Sequence, residues 1–234
     1  MPTTGPEQRY RLPMNSPGPA IDHTLLNPQA NTAQFDSLCE EAVEWGFAAV
    51  CVPPVFVQYC SERVYGAEVK IATVIGFPFG YSTSGVKVLE AERAILSGAD
   101  ELDMVMAYGA ALDNNWDYVE ADIRAVVDTA GAVPVKVILE CSALDDARKR
   151  HAVETAVAAG AHFVKTSTGY GASGATVEDV RLLHDQAAGR ASVKASGGIR
   201  DLNTCMEMLT AGAIRIGTSS GVRIMQEWRA AGRG

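Results

Sequence analysis

The sequence predicts a single-domain α/β protein, a (β/α)8 (TIM) barrel. Short apolar segments of strand character alternate eight times with longer segments of helical spacing. The repeat is about 28 residues, and a length of 234 residues suits one barrel of this kind. A doubly wound open sheet is the competing architecture, but the glycine fingerprint that usually follows its first strand is absent from the sequence.

The predicted strands are nearly continuous in Val, Ile, Leu and Ala, as expected for strands buried on both faces of a parallel sheet. They span residues 20–22, 48–52, 69–75, 101–106, 135–139, 162–165, 192–195 and 214–217. The predicted helices span residues 33–45, 86–96, 117–129, 145–159, 176–188, 201–210 and 220–230. Residues 1–19 are rich in Pro, Gly and polar side chains and are predicted to be a flexible lead-in, followed by one catalytic barrel domain over 20–234.

The composition of the chain argues against several classes of function. The chain has 20 Lys and Arg against 28 Asp and Glu, a net charge of -8, which argues against nucleic-acid binding. Its five cysteines include no CxxC pair, so we expect free thiols rather than disulfides or a metal site. Neither a secretory signal nor a membrane-spanning run is evident. We therefore expect a soluble, cytoplasmic protein with no cofactor and no membrane partner.

Charged residues lie within or near the ends of several predicted strands, and three of them are candidates for chemistry. Asp103 interrupts the apolar run of the fourth strand, and Lys165 and Lys194 end the sixth and seventh. Catalytic residues of barrels lie at the C-terminal ends of the strands, and a buried charge there requires an explanation. The alternatives are a structural ion pair for Asp103 and a rim position for Lys165.

The two lysines predict amine chemistry. Adjacent parallel strands lie about 4.8 Å apart, so equivalent strand ends place the two amines side by side. At about 4 Å and an effective dielectric near 20, their repulsion is about 4 kcal/mol, or roughly three pK units. One of the lysines is then neutral near pH 7 and can attack a carbonyl to form a Schiff base.

Glycine- and hydroxyl-rich loops follow these strands and predict a phosphate site. Gly197 and Gly198 lie between a strand and a helix start, and Ser219 and Ser220 precede the last helix. Loops after the seventh and eighth barrel strands, together with a helix N-terminus, commonly bind phosphate. His23 and Cys51 are more simply interpreted as structural, and Glu140 either pairs with Lys136 or faces the pocket.

These segments resemble the deoxyribose-phosphate aldolase family over nearly all of the chain after the lead-in. The matching motifs are IDHTLL at 21–26, VIGFPFG at 74–80, GADELDMV at 98–105, KVILE at 136–140, KTSTG at 165–169, KASGGIR at 194–200 and GTSSG at 217–221. The chain has Asn27 where many members have lysine and Ala107 where many have asparagine. It also lacks the C-terminal tyrosine of some members.

The resemblance implies a metal-free class I aldolase that interconverts 2-deoxy-D-ribose 5-phosphate with acetaldehyde and D-glyceraldehyde 3-phosphate. It implies that Lys165 forms the Schiff base, that Lys194 lowers the pKa of Lys165, and that Asp103 transfers protons. The phosphate-binding residues that it implies are Gly169, Gly197, Gly198, Gly217 and Ser219, with Arg200 nearby. A homodimer is one assembly that it suggests.

Three alternatives remain at this stage. The chain could be a Schiff-base aldolase for another sugar phosphate, an isomerase that uses Asp103 as its base, or a sugar-phosphate-binding protein without catalytic activity. Trapping with borohydride separates the first from the second, because an isomerase needs no imine. A turnover assay excludes or confirms the third.

Overall fold

A computed structural model describes residues 16–232, and within that range the strands form a closed parallel barrel in chain order. The strands are β1 (Ile21–Thr24), β2 (Ala49–Val52), β3 (Lys70–Ile75), β4 (Glu101–Val105), β5 (Val135–Ile138), β6 (Phe163–Lys165), β7 (Ser192–Ser196) and β8 (Arg215–Thr218). Pairing of β1 with β8 closes the barrel. The predicted barrel is therefore confirmed.

Helices connect the strands on the outside of the barrel. They are α1 (Thr32–Trp45), α2 (Val57–Arg63), α3 (Ser84–Leu96), α4 (Tyr108–Leu112), α5 (Trp116–Ala130), α6 (Asp146–Ala158), α7 (Val177–Ala187), α8 (Leu202–Thr210) and α9 (Gly221–Ala230). In the described part of the chain, three short 3-10 turns span Gly18–Ala20, Pro54–Phe56 and Cys141–Ala143. No helix within residues 16–232 is long and apolar enough to cross a membrane.

Local signals explain where several helices begin. The side chains of Asn31, Asp145, Thr176 and Asp201 each accept a hydrogen bond from a backbone N–H in the first turn of the helix that follows. Such caps satisfy donors that have no partner inside the helix. At the other end of α1, Gly46 adopts the left-handed conformation that is typical of a glycine C-cap.

Within residues 16–232, two α-helices are absent from the sequence-based prediction, and the bounds of the strands differ from it by one or two residues. These helices are α2, which follows Pro53 and Pro54, and α4, which has only five residues. Strand β1 extends to Thr24, so His23 lies within the strand and not after it; its backbone pairs with β2 and β8. Of the predicted lead-in over residues 1–19, the first fifteen residues lie outside the described residues.

A buried ion pair joins two helices to the end of β4 outside the barrel. The Lys87 Nζ donates to Asp122 Oδ2 at 2.5 Å and to the Val105 carbonyl at 2.9 Å. Both side chains are fully buried. Asp122 also accepts from the Ser84 hydroxyl at 2.7 Å. The pair therefore fixes α3 and α5 against the strand that carries Asp103.

Replacing Lys87 with methionine should lower the free energy of unfolding by about 3–5 kcal/mol, because Asp122 would remain as a buried charge without its cation. The measurement is urea unfolding followed by circular dichroism. Lys70→Met, a change at an exposed lysine, is the matched control and should stay within about 0.5 kcal/mol of wild type. Equal stability of the two variants would contradict a structural role for the buried pair.

Candidate active site

The barrel interior holds a set of buried charges that we call the charge network. Its members are Asp22, Glu101, Asp103, Lys136, Lys165, Lys194 and Arg215. Each is at most 7% exposed. Buried charges of this number require pairing, because each isolated ion would carry a large desolvation cost.

The two strand-end lysines meet on one carboxylate. Lys165 Nζ and Lys194 Nζ each lie 2.7 Å from Oδ2 of Asp103. Their backbones are also register partners in the pairing of β6 with β7. Lys194 donates a second hydrogen bond to Asp22. The geometry therefore brings together the three residues that the sequence singled out for chemistry.

The rest of the network extends from Asp103 across the barrel. Lys136 Nζ lies 2.6 Å from Asp103 Oδ1 and 2.7 Å from Glu101 Oε2. Arg215 of β8 reaches the opposite strand β4, where its Nη1 and Nη2 lie 3.0 and 2.8 Å from the two oxygens of Glu101. Arg215 also donates to Asp22. These contacts form a continuous ion-pair path through the interior.

The network contains four basic and three acidic side chains. With all of them ionised, one positive charge would be uncompensated inside the barrel. Lys165 contacts a single carboxylate, whereas Lys194, Lys136 and Arg215 each contact two. Charge balance therefore favours Lys165 as the neutral amine.

The pKa shifts of the two lysines lead to the same assignment. Burial is the largest influence on the pKa of Lys165 and lowers it; Asp103 opposes this effect, and the charge of Lys194 lowers the pKa further. Burial also acts to lower the pKa of Lys194, but Asp103 and Asp22 outweigh it and raise that pKa. Burial would raise the pKa of Asp103, yet the surrounding lysines hold it well below its usual range.

This finding corrects one part of the sequence argument. There, the repulsion between the lysines supplied the whole shift in the pKa of Lys165. In the structure, desolvation contributes more than Lys194, and Asp103 reduces the repulsion by lying between the two amines. Burial therefore makes the larger contribution to the lowered pKa of Lys165, and the charge of Lys194 adds to it.

A cavity of about 430 Å³ opens above Lys165. Its walls come from the loops that follow β1, β6, β7 and β8. The predicted phosphate-binding residues that line it are Gly169, Gly197, Gly198, Arg200, Gly217 and Ser219. Ser220 does not line this cavity; its backbone N–H donates to the Thr218 hydroxyl at 2.9 Å. Its predicted contact with phosphate stays a prediction.

Close approach of backbones shapes the predicted phosphate end of the cavity. Gly197 has φ +88°, and a Cβ atom there would lie 2.9 Å from the Gly174 Cα. At Gly217 a Cβ would lie 2.9 Å from Ser196 Cβ and 3.2 Å from Lys194 Cε. A Cβ atom at either position would collide with its neighbours, so this tight packing requires glycine at both.

Three other residues from the sequence analysis have defined surroundings. His23 is buried, and its Nε2 lies 2.6 Å from Glu41 Oε2. Cys51 is buried with no disulfide, and burial raises the pKa of its thiol. Glu140 does not pair with Lys136; it accepts hydrogen bonds from Thr168. Within residues 16–232, no group of three or more His, Cys, Asp or Glu side chains is arranged to hold a metal ion.

Four members of the charge network were not predicted from the sequence as site residues: Asp22, Glu101, Lys136 and Arg215. A signal was available, because Asp22 and Lys136 each interrupt an apolar strand in the same way as Asp103. The pairing of Arg215 with Glu101 could not be predicted from the sequence, since the two residues lie on opposite strands of the closed barrel.

Comparison with known proteins decides the family. A family model described as DeoC/LacD family aldolase matches residues 19–227. The chain belongs to this aldolase family. It is 50% identical to a deoxyribose-phosphate aldolase of Syntrophotalea carbinolica over 93% of this chain and 99% of that protein. It is 52% identical to one from a Geobacillus species over 88% of this chain and 93% of that protein.

Solved aldolase structures share the same architecture. A protein named QR15, an aldolase, aligns with a TM-score of 0.88 at 40% identity, covering 92% of this chain and 96% of that chain. A deoxyribose phosphate aldolase from Aeropyrum pernix with a tetrameric structure aligns with a TM-score of 0.86 at 35% identity, covering 92% and 91%. The predictions of an aldolase and of a barrel fold are both confirmed.

Proposed function

We propose that this aldolase reversibly cleaves 2-deoxy-D-ribose 5-phosphate to acetaldehyde and D-glyceraldehyde 3-phosphate through a Schiff base on Lys165. One observation carries the proposal: two lysines share the carboxylate of Asp103 beneath a cavity with glycine-rich walls. The names of relatives at about 50% identity over most of the chain support the choice of substrate.

The first half of the reaction forms an imine. The neutral amine of Lys165 attacks the C1 aldehyde of the open-chain sugar, and loss of water gives an iminium ion. Lys194, charged and held by Asp22 and Asp103, stabilises the developing alkoxide and donates a proton. Asp103 accepts and returns protons from a position within hydrogen-bond distance of both amines.

The second half breaks the carbon–carbon bond. The electron pair of the C2–C3 bond moves into the iminium to form an enamine, while the C3 hydroxyl loses its proton and becomes the aldehyde of glyceraldehyde 3-phosphate. Protonation of the enamine at C2 and addition of water to the imine release acetaldehyde. Lys165 is then free as an amine, and no cofactor is consumed.

The phosphate of the substrate is proposed to lie at the end of the cavity formed by Gly197, Gly198, Gly217 and Ser219, with the exposed Arg200 guanidinium at its edge. Backbone N–H groups in such loops provide donors to an anion. Gly169, in the neighbouring loop after β6, completes this wall.

The direct assay incubates the protein with 2-deoxy-D-ribose 5-phosphate and follows acetaldehyde and glyceraldehyde 3-phosphate by coupled reduction. We expect both products in equal amounts. A folded protein that leaves this sugar unchanged but cleaves a different sugar phosphate would replace the proposal with the alternative aldolase.

Replacing Ser219 with aspartate should raise the KM for the phosphorylated sugar about tenfold, because a like charge beside the phosphate costs about 1.4 kcal/mol. Turnover of unphosphorylated deoxyribose should stay low and change little. Ser37→Asp, the same change at an exposed position of α1, is the control and should retain the wild-type KM. An unchanged KM in Ser219→Asp would place the phosphate elsewhere.

We also propose that the protein assembles into a homodimer, as the family resemblance suggested. The Aeropyrum pernix relative has a tetrameric structure, so light scattering with this protein distinguishes two subunits from four.

A further inference from the structure

Glu140 is a buried carboxylate that the proposed reaction does not use. It follows β5, is only 3% exposed, and has φ +53°, in the left-handed region that residues other than glycine rarely adopt. Its hydrogen-bond donors are neutral: the Thr168 hydroxyl, the Thr168 backbone N–H at 3.3 Å and the Ser142 hydroxyl at 3.4 Å. A strained backbone and a buried charge are costs that a functional constraint would explain.

The Thr168 hydroxyl transmits this contact to the next residues of the loop. It accepts the backbone N–H of Tyr170 at 3.0 Å. A hydroxyl carries one proton. The hydroxyl proton of Thr168 therefore points to Glu140, while a lone pair of the same oxygen accepts the hydrogen bond from the Tyr170 backbone N–H. The carboxylate therefore orients the hydroxyl, and the hydroxyl fixes the backbone on either side of Gly169.

The same loop contacts Glu140 again and then crosses the cavity mouth. A Cβ atom at Gly171 would lie 2.8 Å from the Cδ and Oε1 atoms of Glu140, so the backbone passes directly over the carboxylate. The Tyr170 hydroxyl donates to the Leu26 carbonyl at 2.9 Å, in the loop after β1. Its ring meets the Phe77 ring edge to face, with centroids 5.4 Å apart. Residues 168–171 thus span from β5 to the loops after β1 and β3.

We propose that Glu140 is a positioning residue that holds the 168–171 loop, and with it the Gly169 and Tyr170 wall, in the conformation that accepts the phosphorylated end of the substrate. The proposal rests on the proposed function for the identity of that substrate. Glu140 acts through Thr168 and does not itself touch the reacting atoms. Lys165 lies in β6, where Asp103 fixes its amine independently of this loop.

Glu140→Ala should therefore separate binding from imine chemistry. We expect the KM for 2-deoxy-D-ribose 5-phosphate to rise about tenfold, in line with the loss of one hydrogen bond to a charged group. The kcat, the turnover of unphosphorylated deoxyribose and the labelling of Lys165 by acetaldehyde and borohydride should stay within about twofold. Hydrogen exchange at the Thr168 and Tyr170 amides should accelerate.

Three further variants test whether Glu140 acts on the loop through Thr168. Thr168→Val, which removes the hydroxyl at similar volume, should reproduce the change in KM and in amide exchange. Glu140→Gln keeps an acceptor oxygen and should recover most of the affinity. Ser142→Ala removes the longest of the contacts to Glu140 and should behave as wild type. Thr168→Val also supplies the answer if Glu140→Ala does not fold.

Two results would overturn the proposal. One is an unchanged KM together with unchanged amide exchange in Glu140→Ala and Thr168→Val. The other is an equal loss on both sugars and in Lys165 labelling, which would indicate general damage. If the wild-type protein does not cleave 2-deoxy-D-ribose 5-phosphate, the proposed function fails, while the exchange rates at Thr168 and Tyr170 still test whether Glu140 holds the loop.

Discussion

Replacing Lys194 with leucine should reduce aldolase activity at pH 7 by about 100-fold, with partial recovery as the pH rises. Both amines contact Asp103 Oδ2 at 2.7 Å, so they lie no more than about 5 Å apart, and at that separation and a dielectric near 20 their repulsion is about 3 kcal/mol, or about two pK units. Without Lys194 the pKa of Lys165 rises, and the neutral amine becomes correspondingly scarce at pH 7.

The direction of the pH dependence follows from the raised pKa of Lys165 in this variant. A lysine is nucleophilic only when it is deprotonated, so the activity of the variant should increase until the pH passes the raised pKa of Lys165. The measurement is a pH–rate profile of the Lys194→Leu variant with circular dichroism as a folding check. Lys70→Leu, at an exposed lysine, is the control and should keep the wild-type profile. Near-normal activity of folded Lys194→Leu at pH 7 would show that Lys194 does not tune Lys165.

Replacing Asp103 with asparagine should lower turnover by about 100- to 10,000-fold, the range expected when a general acid–base group is removed. Imine formation should persist, because Asp103 raises the pKa of Lys165 and its loss leaves more of that amine neutral. The variant should therefore still be labelled by acetaldehyde and borohydride while it turns over sugar phosphate poorly.

The comparison between labelling and turnover makes this prediction specific to proton transfer. Asp100→Asn is the matched control, because Asp100 is exposed and its contact with the Ile71 N–H can be kept by an amide oxygen. It should retain both activities. A parallel loss of labelling and turnover in Asp103→Asn would instead assign the carboxylate to holding Lys165 and Lys194 in place.

The sequence was sufficient for the barrel because its strands are short, apolar and regularly spaced. It was also sufficient for Asp103, Lys165 and Lys194, since a charge inside an apolar strand is visible without a structure. The short helix α2 was missed because it follows two prolines and begins with the β-branched Val57. Propensity alone gave no reason to expect a helix there.

The electrostatics of the site required three-dimensional contacts. Adjacent strands predicted the lysine pair, but the sharing of one carboxylate by Lys136, Lys165 and Lys194 depends on side chains that converge from β5, β6 and β7. The path from Asp103 to Arg215 depends on closure of the barrel. The anchoring of the 168–171 loop on Glu140 likewise joins residues that sequence spacing does not relate.

The central claim is that Lys165 is the residue that forms the covalent intermediate. Its most direct test is mass spectrometry of the protein after treatment with acetaldehyde and borohydride, followed by a peptide map. We expect one added ethyl group on the peptide that contains Lys165, and no such addition in Lys165→Leu. A label on Lys136 or Lys194 in the wild-type protein, or no label at all under conditions that support turnover, would contradict the assignment.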